Sequence, residues 1–324
     1  MKTCDICGTL NFNDNNYCTF CGNKIAIENI CPFCNKLNSD TATHCSYCKE
    51  QIKPVAIDSF DKLFTDYNKS LIANFEIFDD DYYNILNDVF KRIEFSDIHG
   101  NTIKEKVLSL ANLFAHCETK SKGYERGFSF GNVIYYDDRL DDSIQIATII
   151  HELSHFLLFR IIEELMCEIL GVKSTSVLQS FIWFFLSNGE ISVMNEYCAH
   201  TVEGRFIPYG YQNYASFNSL IENIEMKDIT LKKMIVIGNS FANEIILFLE
   251  NYINKDLRDS IKLQYKRDLN HPKHDSIILE TAECLELNIK NKLLVNDLFK
   301  KFEIASQEIC KEELDFIRDG LEKH

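Results

Sequence analysis

From about Asp58 onward, apolar residues recur at three- and four-residue spacing, the period of amphipathic helices. The pattern predicts helices near 58–75, 80–95 and 102–117, a long one over 143–170, another over 190–204 after an Asn188-Gly189 turn, and several more across 215–322. One segment departs from that period. Residues 128–136, FSFGNVIYY, are aromatic and β-branched and read as a strand. Asp142, followed three positions later by Gln145, has the spacing of a capping box opening the long helix, and Gly171 supplies its stop. With 4 Pro and 12 Gly in 324 residues, turns are few, which favours long helices over a barrel. The expected class is mostly α (α+β) with a small β-sheet.

Ahead of Asp58 the helical period is absent and cysteine spacing takes over. Cys4, Cys7, Cys18 and Cys21 recur as Cys31, Cys34, Cys45 and Cys48, each displaced by 27 positions, and both copies read C-x2-C-x10-C-x2-C. Two such knuckles bring four thiolates to one Zn²⁺ in a closed tetrahedral site. Gly8 and Gly22 follow the second Cys of each knuckle in the first copy, where a tight turn benefits from an unhindered backbone; Asn35 and Lys49 stand there in the second. A module this small has too little core to fold alone, so the metal supplies its stability. Pro54 marks a linker, and the division predicted is 1–52 for the paired cysteine modules and 53–324 for the large domain.

Charge narrows the range of partners. The formal net charge is −15, and residues 1–53 carry five Lys against five acidic residues, so the surplus lies in 54–324. No basic stripe is present to neutralise phosphates, so nucleic acid is not a favoured partner. The opening MKTCDICG lacks the apolar core of a signal peptide, and the apolar runs 156–162 and 181–186 are too short to span a bilayer. Thirteen cysteines without an export signal point to a reducing, cytoplasmic location and to metal binding rather than disulfides.

Chemistry concentrates in Ile150-His151-Glu152-Leu153-Ser154-His155, inside the long predicted helix. Two histidines four positions apart lie one helical turn from each other, so both imidazoles reach one Zn²⁺. Glu152 stands beside them, where its carboxylate can take a proton from the attacking water. A catalytic zinc needs a third protein ligand and an open position. Leu158 and Ile161 occupy the places where the extended HExxHxxGxxH pattern has Gly and His, so that ligand comes from elsewhere. Glu196, 41 residues past His155 on the next predicted helix, is the leading candidate. His200 and Glu203 share its helical face, so His200 can instead be the ligand with Glu203 accepting behind it, or a donor to the developing oxyanion.

These motifs carry two resemblances. Residues 4–48 resemble the double zinc ribbon family, which implies a docking role for a protein partner and no chemistry of their own. Residues 128–208 resemble the ImmA/IrrE-like metallopeptidases of the gluzincin type, on HExxH followed by Glu196, Ala199, Phe206 and Pro208. The resemblance implies a zincin-like fold, Glu196 as third zinc ligand, and hydrolysis of a peptide or protein substrate with Glu152 as general base. Gluzincins often carry an acidic residue four positions after the ligand Glu; here His200 occupies it, which leaves the third ligand open between Glu196 and His200.

The expected protein is thus a zinc-dependent peptidase with one catalytic and two structural zinc ions. Its rivals are a non-catalytic zinc-binding adaptor and a zinc hydrolase acting on another bond. Arg205, Tyr209, Tyr211 and Tyr214 are candidate transition-state donors, none singled out. Cys117, Cys167, Cys198, Cys284 and Cys310 show no ligand spacing and read as small buried hydrophobes, His271 and His274 as surface turn residues, and the 181–186 stripe with Trp183 as core.

Overall fold

The computed structural model describes residues 2–3, 10–11, 20–21, 29–31, 33–38, 42–53, 55–63, 98–119, 126–269 and 311–323. It divides into two compact units, 1–56 with 171–173, and 57–170 with 174–324.

In the first unit the cysteine repeat has a backbone counterpart. β1 (Lys2–Thr3) pairs antiparallel with β2 (Leu10–Asn11), and β3 (Asn29–Ile30) pairs in the same sense with β4 (Leu37–Asn38), again 27 positions on. β5 (Val55–Ala56) closes the described part of this stretch. Asn35 and Lys49 have φ of 54° and 70°. In the second copy the turn after each knuckle is therefore left-handed, a conformation that costs a side-chain-bearing residue about 1–2 kcal/mol; Gly8 and Gly22, at the matching places of the first copy, lie outside the described residues.

In the second unit, α1 (Phe60–Leu63) is followed after undescribed residues by α2 (Ile103–Ala111). The predicted helices 58–75 and 80–95 lie outside the described residues beyond Leu63. Thr102 and Glu105 form a reciprocal capping box at the start of α2. The helix ends earlier than the 117 its apolar spacing predicted, because Asn112 turns its side-chain oxygen to the Cys117 N–H (3.0 Å) and the chain leaves as β6 (His116–Thr119).

The predicted strand 128–136 is in fact a hairpin, β7 (Gly127–Phe130) and β8 (Val133–Tyr136), turning at Gly131 (φ 57°) and Asn132. The sheet order is β6-β8-β7, with β6 parallel and β7 antiparallel to β8, so β7 is an edge strand. β7 lies so close to the next helix that a Cβ on Gly127 would sit 2.5 Å from both Thr148 Cγ2 and the Tyr135 carbonyl oxygen. Glycine is the residue that permits this approach.

α3 (Asp142–Leu170) is the central helix. By length and composition Asp142–Cys167 would reach across a bilayer, yet 72% of its most apolar stretch is buried within the protein, including Ile146, Ile149, Ile150, Leu153 and Leu157. Its start differs from the expected Asp142–Gln145 box. The Asp141 carbonyl accepts from Ile144 and Gln145, Asp142 pairs with Lys104 (2.6 Å), and the Gln145 amide donates to the Leu140 carbonyl (2.6 Å). The box fails because Asp142 is already inside the first turn. Gly171, at φ 61°, ends the helix as expected. β9 (Val172–Lys173) then pairs parallel with β5, within the first unit.

Helices complete the second unit: α4 (Ser176–Ser187), α5 (Gly189–Phe206), α6 (Ala215–Asn223), α7 (Asp228–Leu249), α8 (Lys255–Asp268) and α9 (Lys311–Leu321). Threonine and asparagine caps, Thr175 on Leu178 and Asn254 on Leu257, fix the starts of α4 and α8. α5 packs between α3 and α7. Gly238 on α7 lets the helices close up, since a Cβ there would lie 2.7 Å from the Met194 carbonyl oxygen. Asn195, Glu196 and Glu203 of α5 are turned toward α3. The described residues are therefore mostly helical with a small mixed sheet, an α+β arrangement.

Candidate metal centre

Four of the sequence-predicted ligands, Cys31, Cys34, Cys45 and Cys48, form one group able to hold a metal ion. Cys31 Sγ lies 3.5 Å from Cys48 Sγ, and Cys34 Sγ 3.5 Å from Cys45 Sγ. These separations are far beyond a disulfide bond and close to the roughly 3.8 Å edges of a tetrahedron with metal–sulfur bonds of about 2.3 Å. The knuckle turns are closed by Asn35 N–H to Cys31 O (2.9 Å) and Lys49 N–H to Cys45 O (3.0 Å). Desolvation would raise the Cys45 thiol, but the N–H groups of Cys48 and Tyr47 and the Asn38 amide outweigh it and hold the thiol at about 6. Cys48 receives the Glu50 N–H, yet desolvation and the three neighbouring sulfurs push it up to about 12. Crowded sulfurs that cannot all ionise are the situation a bound cation relieves. In the first copy, Cys4, Cys7 and Cys18 lie outside the described residues; Cys21 is partly buried.

The second centre is built on facing stretches of α3 and α5. His151 and His155 project from one side of α3, and their Nε2 atoms are 3.1 Å apart. Glu196 of α5 reaches between them, Oε1 3.4 Å from His151 Nε2 and Oε2 3.4 Å from His155 Nε2. A tetrahedral ion with bonds of about 2.0–2.1 Å has ligand–ligand edges of roughly 3.3–3.4 Å. The triangle fits.

The far side of each imidazole is fixed. His155 Nδ1 donates to Asn195 Oδ1 (2.7 Å), and the Asn195 amide nitrogen donates to the Leu186 carbonyl (3.2 Å), which settles which way the amide faces. His151 Nδ1 donates to Glu203 Oε2 (3.1 Å). With both Nδ1 atoms carrying the proton, both Nε2 lone pairs point into the triangle, the tautomer metal ligation needs. Glu203 was expected behind His200; it serves His151 as well. Asn195 was not foreseen, and its only sequence signal is its place next to Glu196.

The electrostatics ask for positive charge. Burial alone would raise Glu203, but hydrogen bonds from His151 and His200 hold it at about 2. Burial opposes ionisation of Glu196 too, and contacts from His151, His155 and His200 keep it well below the usual carboxylate range. His151 is driven the other way, well above an ordinary imidazole, because Glu196 and Glu203 overcome its desolvation. Without an ion, the raised proton affinity of His151 and His155 balances the buried carboxylates; a divalent cation would take over that role.

His200 lies on the other side of Glu196. Its Nε2 is 2.8 Å from Ser216 Oγ and 3.3 Å from Glu196 Oε1, and its Nδ1 is 3.3 Å from Glu203 Oε2. His151, Glu196 and His200 offer ligand atoms all within 4.8 Å of one another, so they too form a group able to hold an ion. Glu152, 7% exposed, lines the same cleft beside Gly127 of β7. The cavity measures about 670 Å³ and runs past His151, Glu152, His155 and Glu196 along β7.

Of the four candidate donors Arg205, Tyr209, Tyr211 and Tyr214, geometry separates one. Arg205 is paired with Glu250 (2.5 Å), Tyr209 is 93% exposed, and Tyr211 packs edge-on to Tyr265. Tyr214 has its ring 5.0 Å from that of His200, and burial pushes its hydroxyl up to about 12. Cys198 is buried, and desolvation raises its thiol, as suits a small core residue. Cys284, Cys310, His271 and His274 lie outside the described residues. Compared with protein-family models, with curated proteins and with solved structures, the chain matches none of them.

The hydrogen bonds behind the imidazoles give a prediction. Asn195→Ala and Glu203→Gln should each weaken metal binding at this centre about 10- to 100-fold, by freeing the ring or the tautomer it holds. Competition with a chromophoric chelator measures it; unchanged affinity in both variants would mean the rings are set by packing alone.

Proposed function

We propose that this chain is a zinc-dependent peptidase with a zincin-like domain of the gluzincin type, in which His151, His155 and Glu196 hold the ion and Glu152 is the general base. The observation that carries the reading is the triangle of 3.1, 3.4 and 3.4 Å between two Nε2 atoms and a carboxylate, with a further acid beside it on an open cleft. Zn²⁺ held there would supply a Lewis acid that polarises a carbonyl and brings the acidity of water toward neutrality. Glu152 takes the proton of the attacking water as its oxygen bonds to the carbonyl carbon, and hands that proton to the nitrogen as the C–N bond breaks. His200, held between Glu203 and Ser216, is the group we assign to the carbonyl oxygen as it gains charge. β7, an edge strand beside Glu152, offers backbone groups to an extended substrate. On this reading the cysteine modules are zinc ribbons that dock a protein partner, in a reducing cytoplasmic setting.

Chelation tests the reading. Removing zinc should stop cleavage of an unfolded protein substrate, and adding it back should restore the rate. Cleavage that persists in the chelated protein would refute the reading.

One observation favours a second reading. The proximity of His200 Nε2 to Glu196 suits a fourth protein ligand, which would seal the ion and make the domain a metal-stabilised adaptor. Such a protein would bind zinc at this centre and hydrolyse nothing.

A further inference from the structure

The cleft differs from one end to the other. Two adjacent ridges of α3 form its floor: Ala147, His151, His155 and Phe159 in one, Thr148, Glu152 and Phe156 in the other. Toward His151 the lining mixes Arg126, Thr148, Asn213 and Ser216 with Ala147 and Leu220. Beyond His155 along α3 it gains large apolar side chains, Phe156, Phe159, Trp183 and Leu186, with Ser187 beside them. Phe159 and Trp183 remain partly exposed, Trp183 standing edge-on to Phe130 of β7 (5.1 Å between ring centroids). The 181–186 stripe, expected to be core throughout, is divided: Phe181, Ile182 and Phe185 are buried in the fold, and Trp183 faces the cleft.

β7 runs along this gradient, from Gly127 beside Glu152 to Phe130 against Trp183. A segment added to its edge therefore passes from the ligand triangle into the aromatic end. Phe159 lies about one helical turn beyond His155, about 6 Å along the axis, and an extended peptide advances roughly 3.3–3.4 Å per residue. The side chain that meets the aromatic wall is thus one or two residues from the bond over the triangle.

We propose that the aromatic end, with Phe156, Phe159 and Trp183, is a subsite for one large apolar side chain of an extended peptide, and that it selects substrates with Phe, Leu or Met within two residues of the scissile bond on one side. The inference rests on the peptidase reading for its chemistry, and on the cleft alone for its binding. Antiparallel addition to β7 assigns the subsite to the N-terminal side of the cut.

Two experiments on the zinc-loaded full chain test it. In the first, the wild-type protein digests a peptide library randomised around a central segment. Preference for Phe, Leu or Met over Ser or Asp should reach about 10- to 100-fold in kcat/KM at one position near the cut. Phe159→Ser and Trp183→Ala should flatten that preference while cleavage elsewhere in the library continues. Cleavage with no apolar preference at any position within two residues of the cut would overturn the proposal and leave the peptidase reading standing. The wild-type library result decides even if neither variant folds.

The second experiment separates binding from chemistry. Trp183 is the only tryptophan of the chain, so its emission reports this end of the cleft alone. Titrating the Glu152→Gln variant with unstructured decapeptides should give a saturable emission change when a central Phe is present and none when Ser replaces it. If the wild type cleaves nothing, the peptidase reading fails, and this titration still decides the subsite. Equal responses to the Phe and Ser peptides, or no response to either, would overturn it.

Discussion

Glu152→Gln will lower peptide hydrolysis about 10²- to 10⁴-fold and leave the zinc content unchanged. The separation of the two effects follows from position. Glu152 is outside the triangle of His151 Nε2, His155 Nε2 and Glu196, so the ligands do not depend on it. It lines the same cleft one residue on from His151, where a carboxylate can meet a water near the ion. Glutamine keeps the shape in a site that is 7% exposed, so packing against β7 is retained, but an amide cannot accept the proton. Single-turnover cleavage together with elemental analysis of the purified variant measures both quantities. A variant that cleaves at the wild-type rate would remove Glu152 from the mechanism, and one that lost zinc would make it a ligand.

The second large effect is on stability. Cys45→Ser should unfold the module around Cys31–Cys48 and reduce bound zinc from three ions per chain to two, with cleavage of short peptides retained. Cys45 is 1% exposed, its sulfur is 3.5 Å from that of Cys34, and three hydrogen-bond donors converge on it. Structural zinc contributes about 10–16 kcal/mol of apparent binding free energy in modules of this size, which are too short to bury a core that folds without it. The cleft belongs to the second unit, with its own buried core of α3, α5 and α7 residues, so on the proposed function short-peptide hydrolysis has no need of the module. Amide exchange over residues 31–53 and zinc stoichiometry provide the check. Undiminished protection there would show that the module folds without its metal.

Much of the centre was legible because spacing alone determines it. Two histidines four apart on any regular helix face one point, and the paired C-x2-C spacing brings Cys31, Cys34, Cys45 and Cys48 together, the first set lying largely outside the described residues. The start of α5 at Gly189 (φ 56°) and the stop of α3 at Gly171 (φ 61°) followed from glycine turns, whereas α5 runs past the expected 204 to Phe206 with Gly204 inside the helix. Where chemistry is shared between patterns, sequence was mute. The apolar run 128–136 hid a hairpin, because Gly131 and Asn132 sit among residues equally suited to one strand or two. Gln145 had the spacing of a capping residue, but side-chain spacing does not say which carbonyl or N–H is free to receive it. Trp183 lies within a stripe of similar hydrophobicity, and periodicity does not separate a face turned to the core from one turned to a cleft. Asn195 is the clearest case. An asparagine inside a helix carries no pattern, and its role exists only because α5 packs on α3 in the register that brings its oxygen to His155.

The register also leaves His200 beside Glu196, and that residue decides between an enzyme and a sealed metal site. Anomalous diffraction at the zinc edge from crystals of the zinc-loaded protein addresses it most directly. We expect an ion within about 2.0–2.2 Å of His151 Nε2, His155 Nε2 and a Glu196 oxygen, with the fourth position taken by solvent. An ion coordinated by His200 in that fourth position, or no ion between His151 and His155, would contradict this expectation.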